Sequence, residues 1–304
     1  MTTAPLQRDE YIEQAHLFRA LADRMQQHEA TQDLLVAVRD ELLATTKLPL
    51  AVDFLATELK HQGVLAPAMR KLLHYFTPFQ AHLVSEAESE RSRFDFRAAL
   101  EILHREAQYK SQQPSAQGVF LYEFEALCRH RLGYDAGLEA IAGDGVFDAA
   151  WREWIQQVRR RIGMVDLADL IYVASEHYLT VQARQGHPPP SPPLVLFGER
   201  EGQIALANRH KDPLWLFAAL QRHLGYPEVP RPPREDTTRQ IVPGLVRRVE
   251  RLEARLKLVE EEQRGGINLE RFYASPDRPD LPAAPSDLPP EARPDALTEP
   301  PTEP

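Results

Sequence analysis

Three Glu-x-x-His pairs are the residues whose types and spacing best suit chemistry. They are Glu13 with His16, Glu58 with His61, and Glu101 with His104. A spacing of three places the carboxylate and the imidazole on neighbouring turns of a helix. In ferritin-like bundles, two such pairs and two further glutamates bind a pair of metal ions. The spacing therefore indicates one candidate activity, that of a metal-binding, di-iron-like helical bundle enzyme.

The surroundings of these pairs favour a simpler interpretation. His61 lies in the last turn before Gly63, where the helix dipole favours a cation without any metal. Neither His16 nor His104 lies in the middle of an apolar face. We therefore predict a non-enzymatic protein with no catalytic residue, no metal and no cofactor, and keep the metal-binding bundle as the alternative.

Two other groupings of reactive side chains also have a simpler interpretation. Residues 74–82 gather aromatic rings and histidines where one helix follows another, which fits either a ligand pocket or, as we predict, a packed corner. Cys128 and His130 are two residues apart on a helix, so their side chains face different ways. The sequence gives no local support for a Cys/His catalytic pair.

Composition limits the partners and the location. The chain of 304 residues has 36 Lys and Arg against 45 Asp and Glu, for a net charge of −9. This balance does not suggest binding to a nucleic-acid backbone, which requires a concentrated basic surface. The sequence has no secretory leader pattern, no apolar run of about 18 residues and only one cysteine. We predict a cytoplasmic protein that binds neither membranes nor nucleic acid.

The elements that must position these residues are helices. Apolar residues recur at helical spacing through residues 1–186, which we interpret as a helical body. Start and stop signals are clear at several places, such as Thr77 before Pro78 with Gln80 three residues after the threonine. We predict one long helix from 77 to about 111 with a solvated middle, and one strongly apolar helix over 167–184.

The second part of the chain is divided by proline. Residues 187–193 form a Pro-rich linker, 194–227 a small unit, and 228–240 a second linker. Within the small unit, "LVLF" and "IALA" fit a short hairpin or a helix, and Asp212, Pro213 and Gly225 bound a clear helix. Residues 275–304, with ten prolines and seven acids, form a predicted disordered tail. The fold class is mainly α, as a multi-helix bundle or a stack of helix hairpins.

Residues 241–264 carry the most specific pattern in the chain. Their apolar residues alternate in steps of three and four, which is the heptad seam of a coiled coil. Positions a are Val242, Val249 and Leu256, and positions d are Leu245, Leu252 and Val259. β-Branched residues at a with leucine at d favour two parallel strands. The seam predicts a homodimer, and the alternatives are docking onto the chain's own body or into the groove of another protein.

The charges beside this seam agree with a parallel dimer. Arg248 and Arg255 fall at position g, and Glu253 and Glu260 at the following e. In a parallel pair, Arg248 would face Glu253 of the second chain, and Arg255 would face its Glu260. After the helix, residues 265–274 carry Ile267, Leu269, Phe272 and Tyr273, a short apolar segment suited to docking on a partner. The sequence thus predicts an interaction or scaffold protein that self-associates through a short parallel coiled coil.

Overall fold

The computed structural model describes residues 5–25, 31–89, 93–186, 188 and 194–232, together with 249, 252 and 256. These residues are mainly helical, which confirms the predicted fold class, and they form no β-sheet. Residues 1–233 form one compact unit, and residues 234–304 form another. Apart from residue 188, the linker at 187–193 lies outside the described residues, as do the docking segment 265–274 and the tail 275–304.

The described residues of the first unit form thirteen helices. In chain order they are α1 (Arg8–Arg24), α2 (Thr31–Arg39), α3 (Leu48–Gln62), α4 (Ala66–Lys71), α5 (Pro78–Glu88), α6 (Phe96–Lys110), α7 (Ala116–Arg129), α8 (Tyr134–Ala142), α9 (Ala149–Arg161), α10 (Leu167–Val173), α11 (Glu176–Arg184), α12 (Glu199–Ala207) and α13 (Pro213–Leu224).

Local sequence signals account for many of the helix ends. At the start of α5, Gln80 N donates to Thr77 Oγ1 over 3.2 Å, and Thr77 N donates back to Gln80 Oε1 over 3.1 Å. This is the predicted capping box, which satisfies two donors that the first turn leaves unpaired. The C-caps of α3 and α13, Gly63 and Gly225, both adopt the left-handed conformation that favours glycine.

The predicted long helix from 77 to 111 is wrong, because the chain forms two helices there. The first, α5, ends at Glu88, and the second, α6, begins after Asp95. Asp95 caps α6 by accepting a hydrogen bond from Ala98 N at 3.2 Å. The Glu88 carboxylate accepts hydrogen bonds from Leu65 N and Ala66 N at the start of α4. Asp95 and Glu88 thus accept hydrogen bonds from backbone N–H groups at the starts of α6 and α4. Such local side-chain bonds compete with the continuation of a helix.

The predicted helix over 167–184 is also divided in two. Ser175 separates α10 from α11 and caps α11 by accepting a hydrogen bond from Tyr178 N. At this break the Ala174 carbonyl accepts hydrogen bonds from Leu196 N and Phe197 N. Of the two structures that the sequence allowed at 194–207, a hairpin or a helix, the structure has the helix: "IALA" lies within α12, and Phe197 of "LVLF" forms an isolated bridge with Ser175.

Residues 194–227 are not a separate domain but part of the same compact unit as the helical body. Their helices pack on that body, with α12 against α10 and α11, and α13 against α7. The predicted linker at 228–240 also begins with packed residues, because Val229 and Pro230 are buried. His130 Nε2 donates to the Pro230 carbonyl over 2.9 Å, and Arg105 Nη1 donates to the Glu228 carbonyl over 2.5 Å. Unit one therefore extends past the predicted boundary.

One continuous apolar core runs through the first unit. The most extensive helix pairing among the described residues is that of α1 with α6, and α8 packs on α9. In the second half, aromatic rings dominate the core, with centroids 4.9 to 6.1 Å apart. This aromatic group consists of Phe120, Phe124, Trp151, Trp154, Phe197 and Phe217.

Candidate interaction surface

A buried ionic cluster ties three elements together. Lys110 and Glu106 share one face of α6, Glu123 comes from α7, and Asp144 follows α8. Lys110 Nζ donates to Glu106, to Glu123 over 3.2 Å and to Asp144 over 2.5 Å. An ammonium group has three donors, so every one of them is used. Lys110 therefore has no hydrogen left to offer a ligand.

The protonation of this cluster follows from its burial and its charges. Burial lowers the pKa of Lys110, but Asp144, Glu106 and Glu123 outweigh this and raise the pKa well above its ordinary value. Lys110 is thus a permanent cation and not a nucleophile. Burial, opposed by Lys110 but reinforced by Asp144 and Glu106, raises the pKa of Glu123 well above the ordinary range of a carboxyl. Burial therefore favours the protonated form of Glu123 relative to an exposed glutamate.

The same cluster is the place where a metal ion would be sought. Among the described residues, only Glu106, Glu123 and Asp144 form a group of three acidic or imidazole side chains with atoms within 4.8 Å of one another. The ammonium of Lys110 lies within hydrogen-bonding distance of all three carboxyl groups. It supplies the positive charge that a metal would supply, so the arrangement is a structural tie.

The Glu-x-x-His pairs do not contribute to this group and find other partners. Glu13 accepts a hydrogen bond from Leu43 N over 2.8 Å, and Glu58 pairs with Lys71 over 2.6 Å. Glu101 pairs with Arg97, and His104 Nδ1 donates to the Ala15 carbonyl over 2.8 Å. Since these side chains serve local contacts, the described residues contain no ligand set built from the three pairs.

The corner at 74–82 is packed, as predicted. Tyr75, Phe76 and Phe79 are buried, and the Tyr75 hydroxyl donates to Glu10 over 2.6 Å. A cavity of about 10 Å³ adjoins this corner, which is room for roughly one water molecule. A second cavity of about 490 Å³ adjoins Lys110, and some of the polar side chains that line it are engaged by the protein itself. Ser111, for example, donates to the Gln108 carbonyl over 2.7 Å.

An apolar groove lies where α7, the start of α8, the loop from α9 to α10, and α13 meet. Its volume is about 380 Å³. Its lining consists of Phe124, Cys128, Tyr134, Ile162, Gly163, Met164, Val165, Asp166, Leu167, Pro213 and Phe217. Met164, in this lining, is 79% exposed. We call this feature the α7–α13 groove.

Local backbone geometry explains why Met164 projects outward. Met164 N and Val165 N both donate to the Arg161 carbonyl over 3.0 Å, so the chain turns sharply after α9. Gly163 has a φ of 87°, a conformation that glycine adopts without a steric penalty. The turn thus displays two apolar side chains in succession. Sequence reasoning missed the groove because its parts come from four separate elements.

Cys128 lies at the groove but is not an activated thiol. Burial raises its pKa to about 12, with Tyr134 opposing that rise through a side-chain hydrogen bond. His130 is engaged elsewhere, since its ring lies 4.9 Å from that of Phe94 and its Nε2 donates to the Pro230 carbonyl. Thiolate chemistry needs a lowered pKa, so Cys128 is a packing residue.

The predicted coiled-coil seam is described at three of its six positions. Val249, Leu252 and Leu256 are helical. They are 51%, 56% and 63% exposed. The remaining seam residues Val242, Leu245 and Val259, and the flanking residues Arg248, Glu253, Arg255 and Glu260, lie outside the described residues.

Comparison with known proteins identifies no relative of this chain. No family model, no curated protein and no solved structure matches the chain. Within the described residues, no helix has the length and hydrophobicity needed to cross a membrane. The class of protein that can be stated is a mainly α-helical one, with a helical body of thirteen helices in its described part.

Proposed function

We propose that this protein is a non-enzymatic interaction or scaffold protein that self-associates through a short parallel coiled coil over residues 241–264. One observation carries the proposal: Val249, Leu252 and Leu256, three successive seam positions, are helical and each more than half exposed. Exposed apolar residues at a/d spacing on a helix are the surface that coiled-coil partners cover.

Charge complementarity selects a second copy of the chain as the partner. In a parallel pair, Arg248 and Arg255 of each chain meet Glu253 and Glu260 of the other, giving four cross-chain ion pairs. Each exposed pair contributes about 0.3 to 0.5 kcal/mol, so the four together favour this register by roughly 1 to 2 kcal/mol. An ordinary amphipathic helix has no need for charges at these positions.

The function that follows is presentation of surfaces by a dimer. The seam would set the oligomeric state, and the apolar segment with Ile267, Leu269, Phe272 and Tyr273 would offer a motif to a further protein partner. We further propose a cytoplasmic location, which the single free cysteine, Cys128, supports because extracellular proteins of this size commonly use disulfides.

The test is the solution mass of matched variants by light scattering. The full chain has a mass of 34.6 kDa, so we expect about twice this value for it. Leu252→Glu places a charge in the seam, whereas Ala254→Glu places the same charge on the opposite face at position f. We expect a monomer for Leu252→Glu and a dimer for Ala254→Glu. A monomeric full chain, or a dimer that survives Leu252→Glu, would show the proposal to be wrong.

A further inference from the structure

We propose that the α7–α13 groove binds an acidic peptide segment of another protein that inserts apolar side chains into it. This site is separate from the seam, and the inference does not depend on self-association. It rests on three features: an apolar floor with projecting apolar edges, basic residues without ion-pair partners at those edges, and nearby acids that are already engaged.

The apolar part of the groove has the composition of a protein interface. Phe124 and Phe217 are buried at its floor, whereas Tyr134 and Met164 of its lining are exposed. Soluble monomers seldom expose large apolar side chains in a contiguous group. Tyr and Met are among the types enriched where proteins bind proteins, and methionine adapts its shape to different partners.

Basic residues stand at two edges of the groove. Arg160 and Arg161 end α9 just before the projecting turn, and the Arg161 carbonyl holds that turn through Met164 N and Val165 N. Arg131 follows α7, and its N donates to the carbonyl of Cys128 in the groove lining. All three are exposed, and within the part of the chain that the structure describes none of them makes an ion pair.

The acids near the groove are used by the protein itself. Asp166 accepts a hydrogen bond from Ala168 N through Oδ1 and one from His210 N through Oδ2. Asp169 pairs with Arg209, and Asp135 pairs with Arg159. Asp166 and Asp212 keep their negative charge, because their hydrogen-bond donors are uncharged backbone N–H groups. Three arginines stand against these two carboxylates, so the balance of charge beside the groove is positive, although the whole chain carries −9. A partner with acidic residues beside apolar anchors complements both properties.

A peptide fits these observations better than a small molecule or a nucleic acid. Small-molecule pockets enclose most of their ligand, but Met164, which lines this groove, is 79% exposed, so the groove is open to solvent at that edge. Nucleic acids require a concentrated basic surface, and here three arginines flank an apolar floor. An extended or helical peptide can cover the edges and fill the groove together.

The experiment begins with selection of random dodecapeptides displayed on phage against the immobilised full chain. We expect the enriched peptides to share at least two large apolar residues and a net negative charge. The consensus peptide, synthesised with a fluorophore, is then titrated with the full chain and with variants by fluorescence anisotropy. A selection that yields no consensus, or a consensus with net positive charge, would overturn the proposal.

The variants place a negative charge at the groove or far from it. Met164→Glu and Arg161→Glu alter the groove edge, and both native side chains are exposed. Leu50→Glu is the matched control, because Leu50 is 74% exposed on α3, outside the groove lining. We expect at least tenfold weaker binding for the two groove variants and unchanged binding for Leu50→Glu. Equal binding by Met164→Glu and the unmodified chain would refute the site.

Competition experiments on the unmodified protein keep the result independent of variant folding. Labelled single-stranded DNA and vesicles of anionic lipid are added as competitors. Displacement of the peptide by either would reassign the groove to that class of partner and overturn the proposal, whereas retention of the peptide supports it.

Discussion

Replacing Lys110 by methionine should destabilise the first unit strongly. The Lys110 side chain is 1% exposed and donates to three carboxyl groups. Methionine preserves the volume but leaves Glu106 and Asp144 buried without their cation. Removing one partner of a buried ion pair costs about 3 to 5 kcal/mol. For a domain of this size, this loss corresponds to a fall in Tm of roughly 6 to 20 °C.

Lys71→Met is the matched control for this prediction. Lys71 forms an ion pair with Glu58 over 2.6 Å, but its side chain is 53% exposed. Solvent screening reduces the value of such pairs, so we expect a loss below about 1 kcal/mol. The assay is urea unfolding followed by the fluorescence of Trp151 and Trp154, both of which are buried. If Lys110→Met cost no more than Lys71→Met, the assignment of Lys110 as a structural tie would be wrong.

The free energy of unfolding should depend on pH through Glu123. Because burial and the neighbouring carboxylates raise the pKa of Glu123 in the folded state, its contribution to stability is present at low pH. That contribution is lost as the pH rises from the ordinary carboxyl value of 4.5 toward the raised folded value. Glu123→Gln mimics the protonated group and removes this decline. We therefore expect its stability relative to the unmodified chain to increase from pH 5 to pH 9.

Two further predictions concern the dimer and the packing of α12. Arg248→Glu should weaken the dimer, because it places glutamates opposite one another across the two chains. Arg248→Glu combined with Glu253→Arg should restore the dimer, as measured by sedimentation equilibrium. No recovery in the double variant would exclude the parallel register. Gly202→Ala should cost about 1 to 3 kcal/mol in urea unfolding, because a Cβ there would lie 2.2 Å from Ser175 Oγ and 2.6 Å from His177 Cβ. The control is Gly133→Ala, at a site with no atom within 4 Å of the added Cβ. There we expect a change in the free energy of unfolding below about 0.5 kcal/mol. Equal losses in the two variants would contradict the packing argument.

The parts of the fold that short-range chemistry specifies could be predicted from the sequence. The capping box at Thr77 and Gln80 and the left-handed glycines Gly63 and Gly225 depend only on neighbouring residues, and the structure confirms them. The mainly α class follows from apolar periodicity along the whole body. The seam over 241–264 is likewise a pattern of apolar spacing, and its pairing with a second copy of the chain stays a prediction.

Tertiary contacts determine where the helices break and which distant residues come together. The helix predicted over 167–184 breaks at Ser175 because residues 196 and 197, more than twenty positions away, donate to the Ala174 carbonyl. The side chains of the three Glu-x-x-His pairs bind other partners and form no common site. Lys110, Glu123 and Asp144, which share no sequence motif, are in contact in the folded chain. The α7–α13 groove likewise depends on Cys128, Met164 and Phe217 meeting in space. Hydrogen bonds over a few residues can be read from spacing, but burial and long-range contact depend on how the whole chain packs.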